Sequence, residues 1–483
     1  MELQWNKKTC PYLQTQIRQI QAQEQTQELR LPEELPDIGR VLCAWGQSVI
    51  RSKEWRGDGM NVSGGVSASV LYLPEDGSTP RSVEVWLPFQ VKWSFPQTRR
   101  EGAMRVKCLL RGVDARTLSA RKMMIRANVA VLGEALEPTE VEIYSPGELP
   151  EGVEVLANVY PAVLPKEAGE KQFFFEDEIH IPGVQKWVSF RLNPELSEQS
   201  VLGSRVVMRG SGHLHYVYID DQGAIQSGTH EIPFAQFADL DRDYDKEATT
   251  DVVLSVSSLE PEVTDESVRI QCGVAAQYLV KDRVLLEIAE DAYSPVSAIS
   301  AAYEPLNLPM ELDNRIEMVD AQLTFQEGKV LDMVFLPDHP AQYREGDIVN
   351  LEIPGIFQIL YQDIDGNMQF ATESWTGTMS FPAAENCQIH AAVHAEEYSE
   401  SNARVKVNLQ TWTDQEIPMI SALTVGEARQ PDPDRPSLIL RRMDSDSLWD
   451  LAKTTGSTME AIRKANQLTQ DPMQGQMLLI PVS

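Results

Sequence analysis

The stretch HYVYIDDQGAIQSGTHEIPF (His215–Phe234) decides the fold. An apolar run ends in Tyr218, two aspartates follow, and Gly223 comes five places after the tyrosine, before alternation resumes at Ile225. This is the pattern of a β-hairpin: glycine adopts a positive φ at no steric cost, and Asp side chains bond the neighbouring backbone. The signature recurs in SVLYLPEDGSTPRSVEVWLPF (Ser69–Phe89), with Tyr72 and Gly77, and in QILYQDIDGNMQFATESWTG (Gln358–Gly377), with Tyr361 and Gly366. The near-constant spacing of the three tyrosines marks an internal repeat. Each copy is followed by a second strand pair, in Arg105–Gly133, Thr250–Val280 and Gln388–Trp412, with polar residues at the turn. The expectation is a mainly β protein of three repeated β-rich units, sandwich or barrel-like, over residues 38–160, 161–300 and 301–425. Prolines and small residues place the connectors near Tyr160–Glu170 and Ser294–Pro309.

Bulk properties narrow the function. At 483 residues the chain is long enough for several domains. Its formal net charge of −30 repels phosphate backbones and anionic lipid surfaces, so neither nucleic acid nor membrane insertion is expected. No stretch approaches the roughly 20 apolar residues that span a bilayer, and the N-terminus has no signal-peptide core, which predicts a cytoplasmic location. The five cysteines are far apart and read as free thiols. Residues 1–37 are rich in Gln and Glu with few apolar points, which predicts a polar helical arm ended by Pro32 and Pro36.

After a Pro-rich linker (426–437), the last residues, 438–483, change character. LILRRM (Leu438–Met443) and MLLIP (Met477–Pro481) read as short strands. Between them, Leu448, Leu451, Ala452 and Thr455 give one apolar helical face, with Asp446 or Ser445 as N-cap and Gly456 as the stop. A second helix has Ser457 and Glu460 as a capping box, with Met459 and Ile462 turned inward. Trp449 has the reading of a partly buried core residue, Asn466 that of a helix-end cap, and Asp450, Lys453, Arg463 and Lys464 those of solvated faces.

SLWDLA, a glycine closing the first helix, AIRKANQL and GQMLLIP follow one another as in the LysM module, which this segment resembles. The resemblance implies a βααβ fold and a shallow groove for N-acetylglucosamine polymers or a protein, formed by Asp444, Ser445, Asp446, Ser447 and Leu448 on one side and Asn466, Gln467 and Leu468 on the other. The first loop departs from the family, with Ser445-Asp446 where Gly-Asp is usual. The body, through QEQTQELRLPEELPDIGRVLCAWGQ followed by SASVLYLPEDG, looks like the SPOCS domain. SPOCS units with a terminal LysM are similar to spore-coat morphogenetic proteins of the SipL and SpoVID type. That resemblance implies a scaffold in the mother cell at the forespore surface, whose LysM docks the basement-layer ATPase of the spore coat and whose β units contact other coat proteins. The alternative is a peptidoglycan-binding protein of the cell envelope.

No catalytic motif stands out: there is no phosphate loop, nucleophile elbow or zincin helix. His213 and His215 share a strand face and His390 and His394 lie four apart, but neither pair has further ligands at metal-site spacing. The expectation is no enzyme activity, no cofactor and no metal.

Overall fold

The computed structural model describes residues 5–96, 101–147, 149–264, 267–324, 328–382, 387–398, 402–429, 435–443, 447–470 and 472–482. Among the described residues eighteen strands precede the terminal segment. The first six are β1 (Trp5–Arg30), β2 (Ile38–Arg56), β3 (Gly59–Pro74), β4 (Arg81–Ser94), β5 (Ala103–Ser119) and β6 (Lys122–Pro146). They form two antiparallel sheets, β1-β6-β5 and β2-β3-β4. In β4 the residues alternate strictly: Val83, Val85, Leu87, Phe89, Val91 and Trp93 are buried and Glu84, Pro88, Gln90 and Lys92 are exposed. Both sheets contribute to one core, where Val66, Val70 and Val91 meet Val106, Ile125 and Val129.

The same order recurs in β7 (Glu154–His180), β8 (Val184–Asp220), β9 (Ile225–Tyr244), β10 (Thr249–Val263) and β11 (Ser267–Tyr293), whose sheets are β10-β11-β7 and β8-β9. It recurs again in β12 (Ser297–Gln322), β13 (Gly328–Pro337), β14 (Ala341–Glu345), β15 (Ile348–Asp363), β16 (Met368–Pro382), β17 (Cys387–Tyr398) and β18 (Asn402–Ala428). Here β12-β18-β17 faces a sheet in which β15 pairs β13, β14 and β16. In each sandwich, then, the first strand pairs the last and the last pairs the one before it.

The tyrosine–glycine hairpins are in place. Gly77, Gly223 and Gly366 have φ of 72°, 80° and 85°, a region other residues enter at a cost. The second and third turns share their wiring. Asp220 Oδ1 accepts from the Gln222 and Ala224 backbone N–H groups and Oδ2 from Gln226 Nε2. Asp363 does the same with Asp365, Asn367 and Gln369. Bonds to the charged form hold both carboxyls below their ordinary value, the glutamine side-chain bond being the largest cause in each.

Residues 5–30 are not a helical arm. They form β1, paired with β6 in register from Trp5↔Pro146 to Arg30↔Lys122. The polar composition fits an edge strand, for which the neighbour's backbone ladder supplies the stability that an apolar stripe would otherwise provide. The first connector is also elsewhere, and the second is confined to the start of its expected stretch, Ser294–Pro309. Pro161 and Pro165 lie inside β7, and Pro305 and Pro309 inside β12; both are edge strands, where a missing N–H is tolerated. The links between sandwiches are the short connections from β6 to β7 and, at 294–296, from β11 to β12. The third sandwich runs through Gly426 to Ala428, so the expected linker begins inside β18, and residues 430–434 of it lie outside those described.

Beyond β5, β10 and β17, the long strand pairs continue as three two-stranded ribbons: β1 with β6 before Gln14↔Glu137, β7 with β11 after Asp282↔Leu164, and β12 with β18 after Pro309↔Asp414. Their ends share one cluster, with Cys10 and Ile143 from the first, Leu164, Leu286 and Ile288 from the second, and Leu306, Leu308, Ile417 and Met419 from the third. A second shared cluster joins Trp45 and Leu71, Val217 and Ile219, and Leu360.

Buried polar contacts fix the sandwiches to one another. Gln277 on β11 accepts from the Val106 backbone N–H and donates to the Val106 carbonyl, both at 2.7 Å, in the manner of an added ladder residue. Arg105 bonds Asp251 at 2.6 Å. Asp332 follows a β-bulge at Leu331, which aims it at Arg191 and Trp45.

Candidate functional site

The last residues fold as β19 (Leu438–Arg442), α1 (Leu448–Thr455), α2 (Met459–Asn466) and β20 (Met477–Pro481), with β19 antiparallel to β20. Leu448, Leu451, Ala452 and Thr455 are buried, as the helical spacing requires. Both caps sit later than expected, by one residue in α2 and by one from Asp446 or two from Ser445 in α1. Ser447 caps α1 by accepting from the Asp450 N–H at 3.1 Å, and the Asp450 carboxylate closes the box on the Ser447 N–H. Thr458 caps α2 by accepting from the Ala461 N–H, while Ser457 is buried and its carbonyl is used by Tyr293. Gly456, at φ 62°, ends α1.

Of the expected groove residues, Asp444, Ser445 and Asp446 lie outside those described. Ser447 is the cap of α1 and Leu448 is buried. Asn466 uses its whole amide: Nδ2 donates to the Ile462 and Leu479 carbonyls at 2.8 and 2.6 Å, and Oδ1 accepts from the Leu479 N–H at 2.8 Å. It thereby ties the end of α2 to β20. Gln467 is the left-handed C-cap, at φ 55°, with an exposed side chain. Leu468 packs on the same cluster as Leu448. The two segments thus converge on one small core, and Gln467 presents its side chain to solvent.

The surface that sequence reasoning missed is the seat of this module on the body. Trp449 is 4% exposed; its Nε1 donates to Asp291 Oδ2 at 2.8 Å, and its ring meets Tyr293 edge-on at 4.8 Å. Lys453 is no freely solvated residue: Nζ lies 2.7 and 2.8 Å from the two Asp291 oxygens. Tyr293 donates to the Ser457 carbonyl at 3.0 Å, and Leu156 joins the core. Burial alone would raise the Asp291 carboxyl, but the bonds from Lys453 and Trp449 outweigh it and hold the group below its ordinary value. Burial, helped by Glu154 and Asp291, pushes the Tyr293 phenol up. Asp291 and Tyr293 end an alternating strand and carry no motif, so no local signal announces a contact made to a residue so distant in the chain.

On its other side the module leaves aliphatic residues in the open. Leu440 faces Leu479 across the β19–β20 pair and Leu438 faces Pro481; Leu440 is 65% exposed, and Leu438, Leu479 and Met477 are exposed too.

His213 stays half-exposed 3.8 Å from Glu195, and burial pushes the neighbouring His215 down to about 4. The side chains of His390 and His394 lie outside those described. Among the described residues no group of three metal-ligating side chains occurs, and no helix is long and apolar enough to cross a membrane. Comparisons of the chain with protein-family models, with curated proteins and with solved structures find no match.

Proposed function

We propose that the chain is a non-enzymatic scaffold of bacterial spore-envelope assembly, built of three SPOCS-type units and a terminal LysM-type module that docks a protein. The observation that carries this reading is the division of the module's surface. Trp449 is the single aromatic residue of 438–483, and it is spent on the body, leaving no ring on which a sugar face could stack. What faces solvent instead is the aliphatic set Leu438, Leu440, Met477 and Leu479, chemistry suited to a protein surface. Three sandwiches joined through shared clusters make a stiff platform for holding such a module in a set direction. The proposed partner is the basement-layer ATPase of the coat, with other coat proteins on the β units, at the forespore surface in the mother cell.

Calorimetric titration of the full chain tests this against that ATPase and against a chitooligosaccharide. The expected result is binding to the ATPase alone, weakened about tenfold by Leu440→Glu, a change at an exposed site that leaves the fold intact. Gln467→Gly keeps the left-handed cap and removes only the exposed side chain, so it reports whether the groove takes part. Sugar binding without ATPase binding would overturn the proposal in favour of a wall-binding role.

A further inference from the structure

A cavity of about 240 Å3 opens where the three sandwiches meet. Its wall takes Lys107 from β5, Asn193 and His215 from β8, and Phe335 and Leu336 from β13. Several polar side chains there are already engaged. Gln47 accepts from the Leu192 N–H and donates to the Ser48 carbonyl. Ser255 donates to the Val106 carbonyl, and Arg191 is gripped by Asp332.

Lys107, Asn193 and His215 differ. Among the described residues none of the three side chains has a hydrogen bond or ion pair. Asp251, the carboxylate whose field reaches Lys107, is already bonded to Arg105. All three residues are half-buried, and a few polar side chains lining an otherwise apolar cavity are the mark of a small-molecule site. Water could complete their hydrogen bonds, yet it would leave the ammonium uncompensated. An anion does both. Desolvation lowers the Lys107 ammonium from its ordinary value and keeps His215 neutral near pH 7, with one ring nitrogen free to donate. The rest of the wall, with Leu110, Val256, Phe335 and Leu336, is apolar and unsuited to a fully hydrated ion.

We propose that this cavity binds a small organic carboxylate, its charged group on Lys107, Asn193 and His215 and its apolar body against the β13 wall. The size is sufficient: an engineered cavity of about 150 Å3 takes benzene, so benzoate fits here. The site touches all three sandwiches, and a bound carboxylate would therefore also tie them together.

The test is titration of the full chain with benzoate and hexanoate, followed by ligand-observed NMR and by the melting temperature, with benzyl alcohol, hexanol and inorganic phosphate as comparators. Both carboxylates are expected to bind and to raise the melting temperature, and the alcohols and phosphate are expected to do neither. Lys107→Met should weaken carboxylate binding by at least about tenfold. Asn193→Asp, which sets a negative charge in the same cavity, should do the same and decides the matter if Lys107→Met does not fold. Equal binding of the alcohols, binding of phosphate alone, benzoate binding unchanged in Asn193→Asp, or no binding by any carboxylate would each overturn the proposal.

Discussion

Two aspartates do the same chemical job in two places. Asp332 takes the Trp45 Nε1–H at 2.7 Å and the Arg191 guanidinium at 2.7 and 3.0 Å. Asp291 takes the Trp449 Nε1–H at 2.8 Å and the Lys453 ammonium at 2.7 and 2.8 Å. One joins the three sandwiches and the other joins the terminal module to the second. They differ in surroundings and in cation. Arg191 and Asp332 are 9% and 6% exposed, against 42% and 23% for Lys453 and Asp291. The guanidinium fork meets its carboxylate through two donors in fixed geometry, while the lysine is a point charge on a flexible stem. A dry, bidentate pair makes a permanent junction, since losing either member strands a buried charge. A wet, single-headed pair makes a seam that can open at modest cost. The molecule thus separates a firmly joined platform from a module held on it lightly, a division that suits the proposed docking role.

The largest expected effect comes from breaking the first pair. Asp332→Asn leaves the Arg191 charge buried without its counterion and should destabilise the junction by about 3–5 kcal/mol, seen as an early unfolding transition in urea. Adding Arg191→Met should recover a large part of that loss, because a well-packed apolar side chain replaces the ion. If the double variant is no more stable than the single one, the pair is needed for more than mutual neutralisation.

The second pair should respond less. Asp291→Asn is expected to cost about 1 kcal/mol, below the usual value of a charge-assisted bond because Lys453 is so open to water. The body's own transition should stay where it is. The diagnostic change is local: the Trp449 indole N–H resonance should move and exchange faster with solvent. A body transition that shifts as far as in Asp332→Asn would show the seam to be structural and would erase the distinction.

What could be read from the sequence follows the range of the interaction. The hairpins at Gly77, Gly223 and Gly366 were legible because turn chemistry is local, and the buried face of α1 because helical spacing is local too. β1 was not. Gln and Glu favour helices, and only pairing with a strand more than a hundred residues away makes Gln21, Gln23 and Gln25 members of a sheet. The prolines of β7 and β12 misled for the same reason, since edge position is a property of the assembled sheet. At the candidate site the family-like order of residues singled out Ser447, Leu448, Asn466, Gln467 and Leu468, but it gave no sign that Asn466 is tied to the Leu479 backbone. Asp291 could not be found at all, its role arising only once the module is seated.

The smallest effect sharpens the comparison most, because two carboxyls at the seam shift in opposite senses. Glu154 pairs with Tyr293 across the β7–β11 ladder, and burial, with Glu460 of α2 nearby, raises it above its ordinary value of 4.5. Asp291 is lowered from 3.8. A group raised in the docked state opposes docking at neutral pH, and that penalty fades as pH falls through its raised value. A group lowered in the docked state favours docking at neutral pH, and that support is lost as pH falls below 3.8 towards its depressed value. Docking should therefore tighten slightly as the solution is acidified towards the carboxylate range and then loosen below it. The protection of the Trp449 indole N–H, the slowing of its exchange relative to that of an unfolded chain at the same pH, should pass through a maximum. Glu154→Gln should remove the acid-side gain and leave the loss; Asp291→Asn should remove the loss and leave the gain. A monotonic curve in the unmodified chain, unchanged by either substitution, would mean that neither carboxyl governs the seam and that its strength lies in the packing of Trp449 on Tyr293.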